Sequence, residues 1–472
     1  MNKKFYVSVW RWHFFAGLYV IPFMLMLSIT GLVMLAYPWI DAWQYGEKLT
    51  TVEQASTSTS LEQQASVVRA AYPDDRVAQY LPPINEHRSS IFKLAREGNS
   101  TLLVFVNPYS AEILGSFDNA DRWYTISDDI HGTLLLGEAG DALIELAAGL
   151  GFLLLMTGLY LHWPSSASGI TRMLMPSFLN PVLWRDRKRS SWKSVHGSAG
   201  FYLSFFLWFF LLTGMAWTGI WGAKLIQPWS SFPDEQSAAV WQSEPDAITH
   251  AQLNTDNLQE VPWGLEVSAV PESDNDQNLL PLTLDQAFRR AGELGFNVED
   301  KGAFSQSFRI AFPKGETGVY SLMSVTMSRD NTNPFGDRTV HLDQYSGAVL
   351  ADIGFEDYNA VAKAMAAGIA WHMGSAGWWN VILAAAICLG FIALSVTGAV
   401  LWWKRRNATS GMLPAAPPQP SDVTVPMSGK ALIVLVVLTG VIFPVSGAVI
   451  AALALFELGR YRAVYQQGEI TS

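Results

Sequence analysis

Apolar residues run in long blocks along much of this chain, with polar segments of a different rhythm between them. Five blocks of about 20 residues carry almost no charge and are long enough to cross a bilayer as helices: Phe14 to Tyr37, Ala142 to Trp163, Ser198 to Trp221, Trp378 to Trp403, and Ala431 to Phe456. Two long polar segments, 41–130 and 223–371, instead mix short amphipathic helical patterns with strand-like runs such as Val104 to Val106 and Val340 to Leu342. The pattern predicts a mainly α membrane protein carrying two external α+β domains. In chain order these are a first span (1–40), an external domain (41–130), a second span with a histidine segment before it (131–165), a basic loop (166–195), a third span (196–222), a second external domain with an insert (223–371), a fourth span with its histidine segment (372–406), a linker (407–429), and a fifth span with a tail (430–472). The first span follows Lys3 and Lys4 without a small-residue cleavage site, so it is expected to stay as an anchor.

The blocks repeat. His13 to Gly17 leads on to Thr30-Gly31, and His196 to Gly200 leads on to Thr213-Gly214, every matched position offset by 183 residues. Spans two and four agree as well: Leu150-Gly151-Phe152 precedes Thr157-Gly158, and Leu389-Gly390-Phe391 precedes Thr397-Gly398. His131 and His372 precede those threonines by 26 and 25 residues. The external segments match too, from the helix-start patterns Ser60 to Gln63 and Thr283 to Gln286 to the turns ending in Tyr109-Ser110 and Tyr345-Ser346. A duplicated two-span unit is therefore expected, forming a four-helix transmembrane bundle about an approximate two-fold axis along the membrane normal, with the fifth span added.

Composition narrows the class. With 31 Lys+Arg against 41 Asp+Glu the formal charge is −10, which excludes a basic nucleic-acid binder. Half the residues are hydrophobic, 15% are charged, and 19 are Trp, a balance suited to a membrane protein. The single cysteine, Cys388, excludes a disulfide framework, a cysteine-ligated cluster and covalent c-type haem. Cations close to the spans set the orientation. Lys3, Lys4 and Arg11, then Arg185, Arg187, Lys188, Arg189 and Lys193, then Lys404, Arg405 and Arg406, belong in the cytoplasm, and the long acidic segments belong outside, in the periplasm. Arg460 and Arg462 after the fifth span conflict with that rule.

The paired His-xxx-Gly…Thr-Gly spans, the external Pro-Tyr-Ser turn and the His-Gly and His-Met-Gly segments before spans two and four resemble the PepSY-associated transmembrane helix family over nearly all of residues 1–405. That resemblance implies PepSY-type external domains, a place in the bacterial inner membrane and b-type haem in the bundle. Some members of the family reduce ferric siderophores.

Eight histidines can be sorted against this frame. His87, His250 and His341 lie in external segments without symmetric partners and read as surface or structural residues. His13, His162 and His196 fall at the inner membrane boundary, His131 and His372 at the outer one. A b-type haem takes two neutral imidazoles from facing helices, and the two-fold axis pairs His13 with His196 and His131 with His372, giving one haem near each face. The family's matching positions are the same four. His162, whose repeat equivalent is Trp402, reads as a structural neighbour, although the sequence leaves open a His162 pairing with His196. Haem propionates would favour Arg11 or Lys193 inside and Arg122 or Lys363 outside, while Arg11 and Lys193 also serve as topology determinants.

No dinucleotide, Walker, HExxH or GxSxG signature is present. Electrons would have to come from a separate donor, a cytoplasmic flavin reductase or quinol. The leading expectation is a di-haem b ferric-siderophore reductase. A quinol-linked cytochrome for another periplasmic acceptor, and a non-redox PepSY sensor or regulator, remain as other readings of the same sequence.

Overall fold

The computed structural model describes residues 3–164, 169–186, 188–229, 248–254, 261–276, 278–298, 307–405, 427–452 and 455. Most of the insert over 230–278, nearly all of the linker over 407–429, the C-terminal tail, Arg187, Arg406, Arg460 and Arg462 lie outside the described residues. Along the chain the main helices are α1 (Lys3–Leu35), α2 (Tyr37–Tyr45), α3 (Leu61–Ala71), α4 (Trp123–Thr133), α5 (Glu138–His162), α6 (Arg189–Gly214), α7 (Leu284–Glu293), α8 (Ala360–His372), α9 (Trp378–Trp403) and α10 (Met427–Ile442). The strands are β1 (Arg76–Leu81), β2 (Ser90–Ala95), β3 (Thr101–Val106), β4 (Ile113–Asp118), β5 (Arg309–Ala311), β6 (Val319–Ser324), β7 (Arg338–Asp343) and β8 (Val349–Gly354). Contacts divide the chain into two compact units, one of residues 1–30, 130–224 and 386–472, the other of 31–129 and 225–385.

The first unit is helical. Four helices are long and apolar enough to cross a membrane, Lys3–Leu35, Glu138–His162, Arg189–Trp217 and Trp378–Trp403. Helix α5 packs through Leu150 and Leu153 on Ala16 and Val20 of α1, and Leu207 of α6 packs on Ile387 and Phe391 of α9. Glycine permits the close approach. A Cβ on Gly151 would lie 3.0 Å from Leu211, and one on its repeat equivalent Gly390 would lie 3.0 Å from Leu203. Beyond Gly214 the third span unwinds into a 3-10 turn and a short π turn over Trp221–Ile226. The carboxylates of Asp141 and Glu145 accept the exposed amides there, Gly219 at 2.8 Å, Ile220 at 3.3 Å and Trp221 at 3.2 Å. These two acidic side chains on a membrane helix thus satisfy an unwound backbone that lipid could not.

The fifth apolar stretch is helical on both sides of a break at Phe443. Helix α10 ends at Ile442 after 16 residues, and helix resumes at Pro444, whose missing N–H interrupts the ladder, and runs to residue 452. The segment lies against α5, where Phe443 stacks on Phe152 at 4.5 Å and the Ser446 side chain occupies the space above Gly149.

The second unit holds one antiparallel sheet of eight strands in the order β4-β3-β2-β1-β5-β6-β7-β8. The first and second external segments contribute four strands each, and the order reads outward from the centre as the same meander on both sides. Two separate external domains were expected. The structure corrects this, because β1 and β5 pair antiparallel through Gln79 with Ala311 and Tyr80 with Ile310, so the edge that each half would expose is covered by the other. Both amphipathic helices, α3 and α7, cover the same face, where Ala65 and Val68 meet Leu284, Ala287 and Ala291 over Tyr80, Phe92, Ile310 and Leu322. The helix starts interlock. Asp285 accepts the Leu61 and Glu62 amides at 2.8 and 2.9 Å, and Glu62 accepts the Leu284 amide at 3.0 Å. Each acid therefore caps the other helix, where its charge also opposes the positive end of the helix dipole.

The opposite face of the second half packs on α8, with Met323, Ile353 and Ala311 against Tyr358 and Ala362. Buried on that side, His250 and His341 hydrogen-bond to each other through their Nε2 atoms at 2.9 Å. Tyr109 and Tyr345 donate to the Glu86 and Glu316 carbonyls at 2.8 Å each, pinning equivalent turns.

Candidate functional site

The helical unit brings two of the repeat-related histidines together. His13 of α1 and His196 of α6 have ring centroids 6.3 Å apart, with planes at 82°. Each ring is held by the threonine of a Thr-Gly pair on another helix. His13 Nδ1 lies 3.0 Å from Thr157 Oγ1, and His196 Nδ1 lies 2.9 Å from Thr397 Oγ1. Both threonines are buried. Their hydroxyls donate to carbonyls one turn back, Thr157 to Leu153 at 2.6 Å and Thr397 to Leu394 at 2.9 Å. A hydroxyl has one proton, so toward the ring the oxygen accepts, and Nδ1 is the protonated nitrogen. Backbone carbonyls of Leu154 and Leu394, which can only accept, also face the two rings. Neutral imidazole has one donor and one acceptor nitrogen. Nε2 of each ring therefore carries the free lone pair, the state in which histidine binds a metal.

The glycine of each pair makes room for the ring that its threonine orients. A Cβ on Gly158 would lie 3.1 Å from His13 Cε1, and one on Gly398 would lie 3.4 Å from His196 Cε1. The same arrangement appears at the other end of α1, where His131 Nδ1 lies 2.8 Å from Thr30 Oγ1, whose hydroxyl donates to the Met26 carbonyl at 2.9 Å. His372 is the half-buried last residue of α8 and belongs to the other unit. The chain turns directly after it through Gly374 at φ 72°. Asn380 then ties the start of α9 to the Trp371 carbonyl at 2.9 Å.

The remaining candidates sort by position. His162 sits against Gly197, the neighbour of His196, but its Nε2 faces the Met173 carbonyl at 3.3 Å and its ring tilts over Phe201. The nitrogen that would reach a metal is thereby engaged elsewhere. Arg11 stands over the Phe15 ring at 5.4 Å, and Lys193 is exposed one turn before His196. Arg122 is paired with Asp41 at 2.5 Å. Lys363 donates to the Glu356 carbonyl at 2.7 Å and precedes His372 by nine residues, roughly 14 Å along α8.

The donor set can be tested against possible occupants. Among the described residues no group of three or more His, Cys, Asp or Glu gathers at metal-binding distance. Haem brings four nitrogens of its own and asks for two axial donors. An imidazole nitrogen binds a transition metal at about 2 Å, so two rings on opposite sides of one iron have centroids roughly 6 Å apart. The His13/His196 pair fits that requirement in spacing, tautomer and charge. The pairing of His13 with His196 was legible in the sequence; the threonines that fix the tautomer were visible only as repeat markers.

A protein with four membrane-length apolar helices and a large antiparallel sheet region is thus defined, with oriented imidazoles inside its helical unit. The model of the PepSY-associated TM region matches residues 10–405. The chain belongs to this family. No curated protein matches it closely enough to add a relative's activity.

Proposed function

We propose that the chain is a di-haem b electron carrier of the bacterial inner membrane that reduces a ferric chelate, a ferric siderophore being the expected substrate, on the periplasmic side. The observation that carries this reading is the His13/His196 pair, two neutral imidazoles at metal-sharing distance with both Nδ1 protons held and both Nε2 lone pairs free. His131, oriented by Thr30, and His372 form the outer pair by repeat equivalence. Haem bound at these pairs would supply a one-electron iron couple within a layer that excludes ions. The protein's part is to fix ring orientation through Thr157, Thr397 and Thr30, and to keep the rings away from water. The palindromic sheet order supports a duplication of the external segments, and the cations beside the spans support basic loops on the cytoplasmic side.

In this reading quinol or a soluble flavin reductase delivers the electron on the cytoplasmic side. At the outer side one electron converts Fe(III) to Fe(II), which hard oxygen chelators hold more weakly, so the metal is released and the chelator is left intact. The test is anaerobic mixing of the reduced protein with a ferric hydroxamate in the presence of a ferrous trap. Trapped Fe(II) that rises with the amount of reduced protein is the expected result. Reoxidation without trapped Fe(II), or no reoxidation, would contradict the assigned acceptor.

A further inference from the structure

The loop between the second and third spans exposes apolar side chains. It is built from short helical turns over Ile170–Met173, Ser177–Leu179 and Pro181–Arg185, and a connection of this kind ordinarily presents polar residues to water. Here Leu174, Met175, Leu179 and Val182 are exposed, Leu179 and Val182 at 69% and 68%. One exposed apolar residue needs no explanation, but four between positions 174 and 182 form a patch, and a patch marks a contact.

The inner side of the loop is pinned to the helices. His162 at the end of α5 donates from Nε2 to the Met173 carbonyl at 3.3 Å. Tyr202 of α6 donates to the Leu174 carbonyl at 2.6 Å and packs edge-on against Phe178, whose amide donates to Ser198 Oγ at 3.1 Å. Trp184 closes the loop on itself by donating to the Phe178 carbonyl at 2.7 Å. Ser198 and Tyr202 both belong to the third apolar block, and Tyr202 lies nine residues, roughly 14 Å, along α6 from Lys193. These bonds therefore hold residues 174–178 alongside the beginning of that block, where an exposed leucine or methionine meets the boundary between headgroups and acyl chains.

Cations follow in the chain. Arg185, Lys188 and Arg189 are exposed, and Arg189 stands close enough to Arg405, just beyond α9, for the two charges to repel. Asp186, the acid among them, is turned to the chain itself, accepting from the Lys188 amide at 3.0 Å and the Ser191 hydroxyl at 2.7 Å. An apolar patch at the edge of a span with cations on its polar side has the composition of an interfacial element that favours anionic lipid. A soluble acidic protein would match the cations but would meet the bilayer before it reached the patch.

We propose that this loop is a binding surface for anionic phospholipid in the leaflet that borders the start of α6. Leu174, Met175, Leu179 and Val182 enter that leaflet, and Arg185, Lys188 and Arg189 hold the lipid phosphate. The proposal needs the four membrane-length helices and no haem, so it stands or falls separately from the functional reading above. Its first test uses the full chain in lipid nanodiscs, as Cys388→Ser with Leu179→Cys, carrying a nitrobenzoxadiazole label at position 179. Val182→Cys in the same background is the second labelling position, should the first variant fold poorly. Strong quenching of the label by doxyl-labelled lipid and weak quenching by aqueous iodide is expected. The reverse would overturn the proposal and leave the patch open to a soluble partner. Lipid choice is read by native mass spectrometry of the full chain titrated with phosphatidylglycerol or phosphatidylcholine, wild type against Arg185→Gln/Lys188→Gln. Losing two cations is expected to weaken phosphatidylglycerol binding about 30-fold, the equivalent of about 2 kcal/mol, and to leave phosphatidylcholine binding as it was. Equal affinity of the wild type for the two lipids, or unchanged phosphatidylglycerol binding in the double variant, would overturn the proposal.

Discussion

At each inner imidazole the deciding atom is a threonine oxygen on another helix. Thr157 and Thr397 donate their single proton along their own helices and so can only accept from histidine, which leaves Nε2 basic. Replacing Thr157 by Val keeps the shape and removes the acceptor. Because partners of this kind are typically worth 10- to 100-fold in metal affinity, Thr157→Val is expected to weaken haem retention at the inner site by about that factor while the outer site is unaffected. Retention is read as haem lost to apomyoglobin, and loss at the wild-type rate would show that Thr157 does not set the ring. The repeated Thr-Gly pairs were visible in the sequence. Their partners were not, because His13 and Thr157 are separated by 144 residues and only the packed bundle brings them together.

At the scale of elements, helix starts and strand runs were well marked by capping residues and alternation. The reciprocal use of Glu62 and Asp285 was not, because each reads as an ordinary acid in its own helix's first turn. The joining of the two halves into one sheet was likewise hidden. It depends on a β1–β5 pairing that no turn specifies and that sits between residues more than 200 apart. The buried pair of His250 and His341 on the second half of this sheet gives a pH prediction. Burial, with a smaller contribution from His250 on its partner, lowers His250 to about 4 and His341 to about 3. The unfolded chain takes up protons near 6.5, so below that pH it binds more protons than the folded sheet does and stability falls with acidification. Stability is therefore fully present above pH 6.5 and declines through the window down to about 4. Hydrogen-exchange protection of the β6 and β7 amides, corrected for the pH dependence of intrinsic exchange, should fall as pH is lowered through this window in wild type and less steeply in His341→Gln. Equal pH dependence in the two proteins would show that the pair does not carry it.

On the scale of the whole molecule, the spans could be read from apolar blocks because length and hydropathy are properties of local sequence. Four membrane-length helices agree with that reading, and in the fifth stretch the helix is interrupted for one residue before Pro444. What the proposed function requires is two histidine couples, one of them His13 on α1 with His196 on α6. The most direct measurement is the dithionite-minus-oxidised absorption spectrum of the purified chain alongside His13→Ala and His131→Ala. The account predicts b-type bands with two haems per wild-type chain, loss of one component in His13→Ala and of the other in His131→Ala. A wild-type chain without haem bands after expression with sufficient porphyrin, or His13→Ala spectra identical to wild type, would contradict it.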